Sequence, residues 1–313
     1  MTAAARRIWA QYARRTARLA FRLIIAVTLV YFAMAVAAHW AKISEWRPGA
    51  RGIATVIAAT LGYGASLYLL AELWHRLVNG TQTTGLGRSL TFPSYAVTQI
   101  AKYLPGNVFQ FVGRHIWLTR KGAAQSGLVV ASALEVAVMI LGAGLVVVIG
   151  TMLTSLPVVA VLAEFVSPPV VALAFAVVLV ALIGALAVLR RNPGRFALPA
   201  AGVLIRALAL AMLFFAGQGA VFFLLSRLVA PDVGAAVMVI ATASWLLGYL
   251  TPGAPGGIGV REVVMLLLLR PMMPEADAVI AVSLFRLVTT LGDLICYLAG
   301  IALWRGDPAQ ERR

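Results

Sequence analysis

The segment Thr251-Pro252-Gly253-Ala254-Pro255-Gly256-Gly257-Ile258-Gly259-Val260-Arg261-Glu262 decides the fold. Six of the ten residues from Pro252 to Arg261 are glycine or proline. Proline removes a backbone donor and clashes with the preceding turn, and glycine carries the largest entropic cost of ordering, so no regular helix or strand survives that density. Apolar runs flank the break, yet each is too short to cross a membrane. Val260 to Arg270 covers only about 16 Å at 1.5 Å per residue, against roughly 30 Å of hydrocarbon. A re-entrant hairpin over 236–270, entering and leaving on one side, satisfies both facts. A helix resuming near Ile258 leaves free N–H groups at its start, and with the glycine-rich turn it forms a cradle for an anionic headgroup. No Gly-Lys-Ser/Thr is present and no strand precedes, so this is not a nucleotide-binding loop.

A second break lies upstream in Ala101-Lys102-Tyr103-Leu104-Pro105-Gly106-Asn107-Val108-Phe109-Gln110-Phe111-Val112-Gly113-Arg114-His115. It marks a second hairpin over 91–121. Pro105 and Gly106 free backbone groups that must find partners away from lipid, so the break faces protein or a wet cavity. Asn107, Gln110 and Arg114 follow at spacings of three and four, which places them on one face of a short helix. Lys102 adds a cation just before the break.

Around these segments the chain of 313 residues is 62% hydrophobic and 12% charged, where soluble domains carry about 25% charged residues. Nearly charge-free runs such as 126–152, 170–189 and 202–225 reach the roughly 20 residues that span a bilayer. The expected fold is an all-α integral membrane protein: a single polytopic domain, 1–313, with six spans near 19–40, 53–78, 126–153, 168–189, 201–229 and 278–304 plus the two hairpins, about eight membrane segments in all. The basic N-terminus, followed by a long apolar run without a clear cleavage site, reads as a retained first helix.

The sequence also repeats. The distance from Pro105 to Pro252, 147 residues, carries Pro105-Gly106 and Arg114 onto Pro252-Gly253 and Arg261, and carries span onto span, giving halves of about 19–153 and 166–304. Each half holds three crossings, an odd number, so the second is expected upside down relative to the first. Paired broken helices in inverted repeats are an architecture of secondary transporters. With the N- and C-termini cytoplasmic, sixteen of the 26 Lys and Arg fall inside and five outside, as expected for a cytoplasmic (inner) membrane protein.

Ionisable residues within spans are costly and are functional candidates by default. Glu135, Arg286 and Asp293 are of this kind. Arg286 and Asp293, seven apart, face the same way on the last helix and suit either a substrate or a clamp between helices. Glu262 follows Arg261 and points about 100° away on a helix, so each requires its own partner. Glu72 and His75 near the cytoplasmic end of the second span are expected to be solvated at the interface.

The net charge of +15 reflects Lys and Arg flanking apolar runs rather than a stripe with interleaved aromatics, so nucleic acid is not an expected partner. Three histidines without metal-ligand spacing and a single cysteine, Cys296, imply no metal site, cofactor or internal disulfide. No nucleophile and base pair emerges, so enzymatic catalysis is not expected.

The motifs Lys-Tyr-Leu-Pro-Gly-Asn-Val-x-Gln-x-x-Gly-Arg at 102–114 and Thr-Pro-Gly-x-Pro-Gly-Gly-Ile-Gly-Val-Arg-Glu at 251–262, with Arg286 following, resemble the flippase-like transmembrane domain of lysylphosphatidylglycerol synthases. The resemblance covers nearly the whole chain. It implies a polytopic protein that moves a lipid, with positively charged headgroups in the best-known members and polyprenyl-linked or glycolipid substrates in others. Residues 1–313 hold no aminoacyl-transfer domain, so lipid aminoacylation is not expected. The leading expectation is a flippase for a phospholipid or polyprenyl-phosphate lipid. Arg114, Arg261 and Arg286 would engage its phosphate, Asn107, Gln110 and Lys102 would complete the site, and Glu262, Asp293 or Glu135 would balance charge. The alternative is a non-transporting partner that presents a lipid-linked sugar to a glycosyltransferase or another lipid-modifying enzyme.

Overall fold

The computed structural model describes residues 30–104, 108–154, 198–251 and 255–305. There is no strand among the described residues. A helical stretch over 30–38 leads into α1 (Trp40–Glu45), α2 (Ala50–Thr81), α3 (Arg88–Gln99), a 3₁₀ turn at Ile100–Tyr103, α4 (Phe109–Thr119) and α5 (Gln125–Thr154). Then come α6 (Ala201–Arg227), α7 (Val237–Leu250), a 3₁₀ turn at Pro255–Gly257, α8 (Val260–Leu269) and α9 (Glu275–Arg305).

Helices α2, α5, α6 and α9 are long and apolar enough to cross a bilayer, so the chain is a multi-pass α-helical membrane protein. They match the spans expected at 53–78, 126–153, 201–229 and 278–304 to within a turn at each end. The span expected at 168–189, and most of 19–40, lie outside the described residues. Both expected hairpins are broken helix pairs, α3 with α4 and α7 with α8.

The long helices leave large apolar side chains on the outside, among them Met152, Leu153 and Ile205. Lipid is as apolar as leucine, so burial of such groups does not drive association; close packing does. One contact makes this concrete. Where α2 crosses α9, a Cβ on Gly292 would stand 2.6 Å from Cδ1 of Tyr63 and 3.1 Å from the backbone nitrogen of Gly64, so only glycine permits this approach.

Helices α2 and α6 form a central pair. Each broken pair folds back on itself and is covered by the long helix of the other half: α9 packs on α3, and α5 packs on α7. Trp74, Leu67, Leu73, Phe215, Phe222 and Leu225 fill the interior. The 3₁₀ turns beside the two breaks are thereby packed on protein, which supplies partners that lipid cannot.

The second break differs in detail from the expectation that no regular structure persists there. Pro255–Gly257 makes a single 3₁₀ turn with Gly256 at φ 58° inside it. Gly257 and Gly259 follow at φ 74° and 87°. These left-handed conformations are open to glycine at little cost, and they delay the restart of the helix from Ile258 to Val260.

Candidate functional site at the meeting of the two breaks

The turn Ile100–Tyr103 packs against the turn Pro255–Gly257. The approach is close: a Cβ on Gly256 would come within 3.3 Å of Cδ1 of Tyr103. Three ion pairs surround this contact, and each ties one broken helix to another element.

Arg114 on α4 is 1% exposed. Its Nη1 donates to both Glu135 oxygens on α5 at 2.8 and 2.7 Å, its Nη2 to Oε1 of Gln99 at 3.1 Å, and its Nε to Oγ1 of Thr98 at 3.3 Å. The guanidinium carbon lies 4.1 Å from the ring centre of Tyr95, 5.0 Å from Trp74 and 5.5 Å from Phe111. A buried charge is tolerable only when paired and hydrogen-bonded, and Arg114 meets both conditions.

Lys102 donates to Asp293 on α9 at 2.8 Å, and the Tyr103 hydroxyl donates to the other oxygen of the same carboxylate at 2.5 Å. Arg286, also on α9, pairs through Nε with Glu262 at 2.5 Å. The second oxygen of Glu262 accepts the Gly259 N–H at 2.6 Å, so this carboxylate both caps α8 and neutralises Arg286. Arg286 and Asp293 share a helix face, as their spacing predicts, and they clamp different elements: Arg286 holds the start of α8, and Asp293 holds the first break.

Arg261 stands apart. Among the described residues it makes no ion pair, and its buried Nε has no hydrogen-bond partner. Its side chain threads between two glycines. A Cβ on Gly248 would lie 2.5 Å from its Cγ, and one on Gly257 would lie 2.4 Å from its Nε. The guanidinium sits 5.6 Å from the ring centre of Trp245, which stacks on Tyr249 with centroids 4.6 Å apart. The site thus holds four cations, Lys102, Arg114, Arg261 and Arg286, against three paired carboxylates. Among the described residues one positive charge remains uncompensated.

Arg261, Arg114, Gln110, Lys102, Tyr63 and Tyr249 line a cavity of about 60 Å³. Such a space holds a few waters, since one water needs roughly 10–15 Å³ on this measure. It lies well below the roughly 300–1,000 Å³ of small-molecule pockets. Gln110 is 6% exposed, and its Oε1 has no partner.

The structure therefore gathers Lys102, Gln110, Arg114, Glu135, Arg261, Glu262, Arg286 and Asp293 around one contact, together with Gly256 and Gly257. Asn107, Pro105, Gly106, Pro252 and Gly253 lie outside the described residues. Tyr63, Tyr95, Gln99, Tyr103 and Trp245 were not singled out in the sequence. Tyr103 adjoins Lys102 in the motif, and Tyr95 and Gln99 are one turn apart on α3, but nothing local marks Tyr63 or Trp245. Glu72 and His75 are partly exposed, as interfacial solvation requires, and they also gain partners that the sequence did not indicate. Glu72 pairs with Arg76 at 2.6 Å and Arg88 at 3.0 Å, and His75 contacts Oγ1 of Thr91 at 2.9 Å, because α3 folds back along α2 and brings partners to both.

A family model described as the lysylphosphatidylglycerol synthase TM region matches residues 19–296, which takes in both breaks and every charged residue of the cluster. Comparison with curated proteins finds no match.

Proposed function

The chain belongs to the lysylphosphatidylglycerol synthase transmembrane family, and from that premise we propose that it transports a lipid across the cytoplasmic membrane, binding the headgroup where the two breaks meet. The observation that carries this reading is Arg261: a cation with no carboxylate partner among the described residues, lining a cavity at the contact of two broken helices. An uncompensated charge in a low-dielectric interior is costly, and an anionic ligand relieves that cost. The cavity is too small for a headgroup, so the described conformation is closed, and loading requires the turns at 100–103 and 255–257 to part.

An alternating mechanism follows. The element order α2 to α5 recurs as α6 to α9 at the 147-residue offset. In the proposed membrane arrangement the two sets are inverted, one hairpin opening to the cytoplasm and the other to the outside, with both termini cytoplasmic. Parting one side while the other stays closed exposes the site to one leaflet at a time. The ion pairs Lys102–Asp293 and Arg286–Glu262 each tie one break to α9 rather than to the other break, so the two turns part with both pairs intact.

Reconstitution tests the proposal. Purified protein in liposomes should translocate a fluorescent phospholipid or a polyprenyl-phosphate lipid, and Arg261→Ala should lose most of that activity. Failure with both lipid classes, or a normal rate for Arg261→Ala, would refute it. Lipid binding without translocation would favour a partner that presents its lipid to a glycosyltransferase or other lipid-modifying enzyme.

A further inference from the structure

The cluster constrains the headgroup further than its sign. Every oxygen of its three carboxylates is engaged. Both Glu135 oxygens accept from Arg114. Those of Asp293 accept from Lys102 and Tyr103, and those of Glu262 take Arg286 and the Gly259 N–H. An ammonium group entering the cavity finds no free carboxylate and adds to an existing positive surplus. A single phosphodiester, by contrast, matches the one uncompensated charge on Arg261, and the guanidinium fork suits its two non-bridging oxygens. A pyrophosphate would bring more negative charge than the surplus cancels.

Gln110 supplies a second, independent constraint. The buried Oε1 of its side-chain amide lines the same cavity and has no hydrogen-bond partner among the described residues. Oε1 only accepts, so a hydroxyl can donate to it, whereas an ionised phosphodiester has no proton to give. Buried polar groups of this kind are ordinarily paired.

We propose that the headgroup is a monoanionic phosphodiester bearing free hydroxyls, a polyol or sugar phosphodiester, and that the site discriminates against amine-bearing headgroups. Arg261 takes the phosphate and Gln110 takes a hydroxyl. This inference rests on the reading that the headgroup sits between the two breaks.

The test uses the full chain in detergent, titrated with dihexanoyl phosphatidylglycerol, phosphatidylmethanol and phosphatidylethanolamine, with tryptophan fluorescence reporting from Trp245. Phosphatidylglycerol should bind about tenfold or more tighter than phosphatidylethanolamine, the equivalent of one charge-assisted hydrogen bond. Arg261→Gln should bring that ratio close to one. Gln110→Leu should bring the ratio of phosphatidylglycerol to phosphatidylmethanol affinity close to one, with the circular dichroism spectrum and denaturation midpoint verifying that this variant is folded. Equal or tighter binding of phosphatidylethanolamine, or an unchanged ratio in Arg261→Gln, would overturn the proposal. Soluble glycerophosphoglycerol binding as tightly as the lipid would overturn its assignment to a membrane ligand. Fluorescent forms of the same lipids in phosphatidylcholine liposomes separate the two ideas. Headgroup preference without translocation defeats the transport reading alone, and translocation without preference defeats this inference alone.

Discussion

Removing the carboxylate that neutralises Arg114 should destabilise the fold substantially, and removing both partners should restore most of the loss. Arg114 is 1% exposed, and Glu135 is 7% exposed. In Glu135→Gln the guanidinium keeps Gln99, Thr98 and three aromatic rings but loses its counter-charge. Leaving one member of a buried pair alone costs about 3–5 kcal/mol. The rings offset part of this, since a desolvated cation–π contact contributes up to about 2 kcal/mol. The expected loss is therefore about 2–4 kcal/mol. In Arg114→Met combined with Glu135→Leu no charge is buried, and packing of similar volume should bring stability to within about 1–2 kcal/mol of wild type. The assay is equilibrium denaturation in mixed micelles, followed by tryptophan fluorescence, for wild type, both single variants and the double. Strong coupling is the signature: the double variant is more stable than the sum of the singles predicts. Additive effects, or a Glu135→Gln variant as stable as wild type, would refute the view that this pair is a structural clamp and would return Arg114 to the list of ligand-binding cations.

Three further outcomes follow from the geometry. Gly257→Ala places a side chain at φ 74° with its Cβ 2.4 Å from Nε of Arg261; it should cost about 1–2 kcal/mol from the backbone alone and should abolish Arg261-dependent lipid binding in the same titration. Gly144→Ala in α5 meets nothing within 4 Å, so its denaturation midpoint should be unchanged or raised, by up to about 1 kcal/mol of helix propensity. Tyr103→Phe deletes one of the two donors to the buried Asp293 carboxylate, a charge-assisted bond worth about 1.5–3 kcal/mol. It should loosen the contact between the breaks, read as faster labelling of a cysteine placed at Ala101 in an otherwise cysteine-free background.

Much of this was legible in the sequence because it depends on local chemistry. The breaks follow from proline's missing donor and glycine's backbone freedom, so 91–121 and 236–270 stand out against apolar surroundings without any knowledge of neighbours. The requirement that Arg261 and Glu262 find separate partners follows from 100° per residue on a helix, and the structure gives Glu262 to Arg286 and gives Arg261 no carboxylate. Glu72 and His75 show the opposite case. Their environment depends on the backward fold of α3 along α2, a contact that no span-by-span inspection contains.

The broken helices, the membrane spans and the set of charged residues are determined by the sequence alone, because periodicity, length and backbone chemistry act within a few turns. Which charge meets which is decided only in the tertiary structure. Arg114, Arg261 and Arg286 are alike as letters, each an arginine in or near an apolar segment. Packing of α4 on α5 brings Glu135 to Arg114, packing of α8 on α9 brings Glu262 to Arg286, and no carboxylate among the described residues pairs with Arg261, which faces a cavity. In a low-dielectric interior the presence or absence of one carboxylate separates a clamped arginine from an unpaired one, and contacts between different helices, Arg114 with Glu135 and Arg286 with Glu262, set that difference.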